Sequence, residues 1–212
     1  MKNRKTALTS AEQQARSPQA VFEQLQAGNL RYVNGTPNQM DASALRSETA
    51  DGQHPQAVVL SCIDSRVPVE MIFDQYIGDI FVARVAGNFE NPDILGSMEY
   101  ACAVAGSKLI VVLGHSGCGA IKAACDGVEL GHITDLLASI QPAVDKVQAA
   151  TQSTPTSKDA DFVNATIAEN VRLTMGRILE KSSILKDLQR GGTIDVVGGV
   201  YQLDSGEVTW LN

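Results

Sequence analysis

The sequence predicts an α/β domain with a mostly parallel central sheet flanked by helices and preceded by an N-terminal helical arm. Four short apolar runs, at 57–62, 80–85, 109–113 and 194–197, are rich in β-branched residues and lack polar alternation. Such runs suit strands buried on both faces. Stretches with helical character separate them, and strands alternating with helices favour parallel pairing through crossovers. The length of 212 residues suits one domain with a full core.

Taken in order, residues 1–17 (MKNRKTALTSAEQQARS) form a polar leader, and 18–212 the single domain. The leader starts basic but has no apolar stretch behind it, so it is not an intact signal peptide. Over 18–33, Val21, Leu25 and Tyr32 recur at helical spacing and predict an amphipathic helix. Residues 34–55 are polar, rich in turn formers, and read as a connecting segment. The stretch 92–105 opens with a proline in its first turn, as helices tolerate. Residues 117–125 continue directly from the third strand as a helix. Segments 136–147 and 162–188 are mainly helical, with Gly191-Gly192 as a stop. A turn at Asp204-Ser205-Gly206 precedes an edge strand over 207–211.

Composition narrows the function. The net charge of −7 argues against nucleic acid as the main partner, because such proteins normally present a basic face. No apolar run approaches the ~18 residues that span a bilayer. The chain therefore reads as cytoplasmic, or as periplasmic if a signal peptide has been removed from it. Four cysteines, Cys62, Cys102, Cys118 and Cys125, are too few for a disulfide scaffold in a chain this long. Metal or catalytic use comes first.

Two motifs carry the chemistry. Cys62-Ile63-Asp64-Ser65-Arg66 closes the first strand, and His115-Ser116-Gly117-Cys118-Gly119 closes the third. In open parallel sheets, ligands sit beyond the carboxyl ends of strands. Two thiolates and an imidazole suit zinc better than magnesium or calcium. Three protein ligands leave tetrahedral zinc an open position, where a bound water has its pKa lowered to ~7. Asp64 and Arg66, two apart on an extended segment, share a side and can form a bidentate pair. So held, Asp64 could orient a zinc-bound water; released, it could take the fourth position itself. Singly, each feature has a bland reading: a core cysteine, a weak H-x-x-C, a surface ion pair. Their conjunction at two strand ends is far more specific.

At these residues the sequence resembles the β-carbonic anhydrases, in the plant-like branch. The matching stretches are CIDSRVPVE (62–70), DIFVARVAGN (79–88), LGSMEYA (95–101) and GHSGCGA (114–120), and QLQAGNLRYVNG (24–35) resembles the family's N-terminal helix. The resemblance implies the β-carbonic anhydrase fold, one zinc held by Cys62, His115 and Cys118, and an Asp64–Arg66 catalytic dyad. The implied reaction is the reversible hydration of carbon dioxide to bicarbonate and a proton through zinc-bound hydroxide. A homodimer is the implied minimal unit, with tetramers built from it. Residue by residue, Gln53 matches a bicarbonate-binding amide, while Phe81 and Tyr100 match apolar wall residues that the partner subunit contributes. Gly119, directly after the second zinc cysteine, joins the substrate-binding set.

Two other readings compete: a zinc hydrolase of a related small molecule such as carbonyl sulfide or carbon disulfide, and a non-catalytic zinc-stabilised binding protein. The presence of both Asp64 and Arg66 disfavours the second. Cys102 and Cys125 read as core thiols, and His54 and His132 as surface histidines. One branch of the family closes its site by binding bicarbonate in a pocket resembling a Trp-Arg-Tyr trio. Arg84 and Tyr201 match two of these positions, but the Trp position is Val59, which has no N–H to donate. The expected state is therefore open, with Asp64 on Arg66.

Overall fold

Capping residues set the N-terminal arm. In the computed structural model, which describes residues 3–4 and 6–211, Asn3–Arg4 (β1) pair in parallel with Gln39–Met40 (β2). Within the leader, Thr9 and Glu12 make a reciprocal capping box for helix α1 (Ser10–Gln14). The leader is docked: buried Gln13 donates its Nε2 to the carbonyls of Pro55 (2.7 Å) and Ala105 (2.8 Å). Ser17 caps α2 (Pro18–Val33), whose first-turn proline has no N–H to leave unpaired. The segment 34–55 is more ordered than its composition suggests. Asp41 accepts from the N–H groups of Ser43 and Ala44 and so starts α3 (Ala42–Glu48).

The remaining elements, in chain order, are β3 (Ala57–Ser61), α4 (Val69–Ile72), β4 (Ile80–Arg84), α5 (Pro92–Glu99), β5 (Leu109–His115), α6 (Gly119–Cys125), α7 (Gly131–Ala138), α8 (Gln141–Thr151), α9 (Ala160–Lys181), α10 (Ser183–Arg190), β6 (Asp195–Tyr201) and β7 (Val208–Leu211). The sheet order is β4-β3-β5-β6-β7, parallel throughout except for the antiparallel edge β7. Every residue of β3 and β5 is buried. One face of the sheet packs Val58, Leu60, Ile110 and Val112 with residues of α5, α8 and α9. The other packs Val59, Val111 and Leu113 against Val21 and Leu25 of α2 and Ile72 of α4. Among the described residues no helix is long and apolar enough to cross a membrane.

Glycines in the sheet face helix α9 and leave room for its side chains. A Cβ on Gly114 would stand 2.8 Å from Val171 Cγ2, and one on Gly198 2.6 Å from Val171 Cγ1. Three boundaries differ from the periodic reading. Helix α5 ends in a π-helical turn, Tyr100–Val104, rather than continuing regularly. The stretch expected as one helix over 136–147 belongs to two, α7 and α8. The long helix expected over 162–188 breaks at Ser182, which has extended backbone (φ −111°, ψ 107°) and whose hydroxyl caps α10.

On the opposite face helix α2 closes on the end of α4, where a Cβ on Gly28 would lie 1.9 Å from the Phe73 carbonyl oxygen. Helix propensity alone favours alanine at a helical glycine by about 1 kcal/mol. Backbone cannot yield as a flexible side chain does, so overpacking wins. Gly28→Ala should lower stability in urea denaturation by roughly 1–3 kcal/mol; a more stable variant would contradict this packing.

Candidate metal centre

Parallel pairing of β3 with β5 sets Ser61 opposite Leu113, so Cys62 and His115 leave the same edge of the sheet. Gly117, at φ +66°, turns the chain so that Cys118 stands at the N-cap of α6. The thiol sulfurs and an imidazole nitrogen of Cys62, His115 and Cys118 then lie within 4.8 Å of one another, all three residues buried.

Hydrogen bonding selects the histidine tautomer. His115 Nδ1 lies 2.9 Å from the Ser116 carbonyl, an acceptor only, so Nδ1 carries the proton and donates it there. Nε2 is left with its lone pair, buried and without a hydrogen-bond partner. A buried orphan nitrogen is costly unless a ligand satisfies it. The cysteines behave as a proton-sharing pair. The Cys62 thiol is held well below its ordinary range, chiefly by a hydrogen bond from Cys118 and against the opposing effect of burial, with further help from the Gly87 and Asp64 backbone. Cys118 is pushed upward by that same bond and by burial. Two soft sulfurs and a preset imidazole lone pair suit zinc, which binds thiolates and neutral histidine.

Asp64 and Arg66 stand beside this triangle, and a turn rather than an extended segment joins them. The Val67 N–H donates to the Asp64 carbonyl at 3.1 Å, closing the turn. Asp64 Oδ1 accepts from both the Arg66 backbone N–H and its Nε, each at 2.9 Å, and Oδ2 accepts from Nη2 at 2.8 Å. These bonds from Arg66 hold the Asp64 carboxyl well below the usual carboxylate range, and Asp64 in turn raises the guanidinium. Oδ2 is also 3.8 Å from His115 Nε2, so it borders the space the donor atoms enclose.

Arg84, at the end of β4, donates from Nε to the Cys62 carbonyl (2.8 Å) and from Nη2 to the Asp64 carbonyl (2.6 Å). Tyr201 lies with its hydroxyl 3.3 Å from that of Tyr32, and Val59 is wholly buried in the core. Both polar members of the incomplete trio are thus engaged internally.

Gln53, Phe81 and Tyr100 are elsewhere. The rings of Phe81 and Tyr100 meet edge-on at 6.2 Å between centroids, lining a groove of about 710 Å³ with Pro92, Gly96 and Ser97. Gln53 lines a neighbouring cleft with His54, Lys108 and the other side of Tyr100. Neither cavity is lined by Cys62, His115 or Cys118. Gly119 is exposed and opens α6 directly after Cys118. Cys102 and Cys125 are buried outside the triangle, Cys102 with its thiol pushed up to about 12 by burial. Sequence reasoning did not single out Gly87, whose N–H lies 3.4 Å from Cys62 Sγ, nor Ser116 as the acceptor fixing His115. The signals for Gly87 were its place in the turn after the second strand and within the matching stretch 79–88.

Comparison with known proteins agrees with this geometry. The sequence profile of the family described as "Carbonic anhydrase" matches residues 57–208. Carbonic anhydrase 2 of Mycobacterium tuberculosis is 38% identical over 196 residues, covering 90% of this chain and 91% of that protein. The crystal structure of the β-carbonic anhydrase CafA of Aspergillus fumigatus superposes with a TM-score of 0.72 at 28% identity, covering 80% of this chain and 81% of that one. One of the tetrameric β-carbonic anhydrases of Sordaria macrospora does so with a TM-score of 0.70 at 25% identity, covering 77% and 83%.

Proposed function

The chain belongs to the β-class carbonic anhydrases, and from that premise we propose that it is a zinc enzyme that reversibly hydrates carbon dioxide to bicarbonate and a proton at Cys62, His115 and Cys118. The observation that carries this reading is the Asp64–Arg66 pair standing beside an otherwise complete three-donor set. A merely structural zinc site closes its coordination with four protein ligands. Bound there, zinc would supply Lewis-acid activation of a water near neutral pH.

The chain's own residues account for orientation. Arg66 occupies two acceptor positions on Asp64 Oδ1 and one on Oδ2. An ionised carboxylate oxygen accepts about two hydrogen bonds. Oδ2 therefore keeps an open acceptor position, and it is the oxygen bordering His115 Nε2. From there it holds the reacting water by one O–H and aims the oxygen's lone pair at carbon dioxide. Three donated bonds and an adjacent guanidinium keep Asp64 ionised and make it a poor base, so it orients rather than stores the proton. Arg84, by bonding the carbonyls of Cys62 and Asp64, fixes the ligand and the dyad as one rigid segment. The open state, with Asp64 on Arg66, and the missing indole at Val59 favour the branch without a bicarbonate-triggered closure.

The apolar wall comes from a second copy of the chain. Phe81 and Tyr100 sit around the free edge of β4, lining a groove open to solvent in the single chain. Seated against another protomer, these rings and Gln53 would complete that protomer's pocket. A weakly polar wall suits an uncharged gas, with Gln53 and Gly119 offering polar contacts to bicarbonate.

Asp64→Asn should lower carbon dioxide hydration in stopped flow by about 100-fold or more with zinc retained, since it removes an acceptor and leaves the N/S ligands. Arg66→Ala should do the same, and Arg66→Lys should not rescue it because a lysine cannot make the fork. Near-wild-type rates in either loss-of-function variant would overturn the dyad. Phe81→Asp should yield a zinc-loaded monomer in sedimentation velocity with hydration lost. A monomer of full activity would contradict the shared pocket.

A further inference from the structure

We propose that Asn170, on helix α9, is a positioning residue for the metal centre, acting through the Gly87 turn on the sulfur of Cys62. The inference rests on the reading above that Cys62 is a metal ligand. Asn170 is 1% exposed, and its amide Nδ2 donates to the Gly87 carbonyl at 2.8 Å. Only the Nδ2 edge of the amide can face a carbonyl, so this side chain has one productive orientation. On the near side of the same residue, the Gly87 N–H donates to Cys62 Sγ at 3.4 Å. The turn between is closed by the Asn88 N–H on the Val85 carbonyl at 3.0 Å.

Glycine is required at its apex. Its φ is +82°, and a Cβ there would stand 2.5 Å from Ile140 Cδ1. Gly87 is itself buried, so without Asn170 its carbonyl would be a buried acceptor with no donor. The turn would then move to find one, carrying the N–H away from the sulfur. An N–H donated to a thiolate stabilises its charge and fixes its direction, as partners behind metal ligands do. The next residue of α9, Val171, packs over Gly114, immediately before His115. One turn of α9 thus supports both strand ends of the ligand set.

The test compares zinc affinity, by chelator competition, in wild type, Asn170→Asp and Ile178→Val. Asn170→Asp is nearly isosteric but sets an acceptor against the Gly87 carbonyl. Ile178→Val trims a buried residue of the same helix away from the turn. We expect Asn170→Asp to weaken zinc binding roughly 10- to 100-fold and to shift the thiolate-to-metal charge-transfer band of the cobalt-substituted protein. Ile178→Val should change neither. Unchanged affinity and spectrum in Asn170→Asp, or an equal loss in Ile178→Val, would overturn the proposal. If Asn170→Asp does not fold, NMR of the cadmium-substituted wild type decides: a resolved metal coupling to the Gly87 amide proton supports the bond, and none refutes it. A wild type that binds no zinc would instead sink the proposed function.

Discussion

Three donor groups that water would solvate well are buried together here, and the rest of the structure follows from that constraint. Cys62 and His115 come from neighbouring strands and meet only because β3 and β5 pair in parallel with Ser61 opposite Leu113. A slip of one residue would reverse which side chains face each layer, sending Val59 and Val111 into the wrong core. With both faces apolar, it is the shape fit of each side chain to its own core that fixes the register bringing the ligands together. Cys118 then needs only a short turn, with Gly117 in the left-handed region, to close the triangle.

Beside the Asp64–Arg66 pair, the triangle is bordered by backbone groups, several of them tied to side chains from other parts of the chain. The Ser116 carbonyl chooses the histidine tautomer, Arg84 ties the carbonyls of Cys62 and Asp64, and the Gly87 N–H faces the sulfur. Backbone groups are well suited to this, because the sheet and turns place them with little remaining freedom. Helix α9 sits behind them at a distance set by Gly114 and Gly198, which have no Cβ to push it away. Packing and site geometry are therefore one problem in this fold.

Much of this was legible in the sequence. The buried strands, the first amphipathic helix with both its ends, and the donor triangle followed from apolar runs, spacing and ligand chemistry. What escaped has definite causes. Ser182 ends one helix while its hydroxyl starts the next, so hydrophobic periodicity runs through the break. The π-helical turn at Tyr100–Val104 leaves no mark in apolar spacing. Asp64 and Arg66 pair through a turn stabilised by the aspartate's own hydrogen bond to the Arg66 N–H, which a two-residue spacing does not distinguish from a strand. Gln13 looked like leader but is a buried donor to two carbonyls. Asn170 reaches Gly87 across 83 positions of sequence, and no local pattern encodes such a partnership.

The proposed chemistry places the zinc at which carbon dioxide is hydrated on Cys62, His115 and Cys118. The most direct test strips the protein of metal, restores zinc in steps and follows hydration by stopped flow. The rate should rise in proportion to bound zinc and level off at one ion per chain. Hydration indifferent to zinc, or absent from the fully loaded protein, would contradict the account.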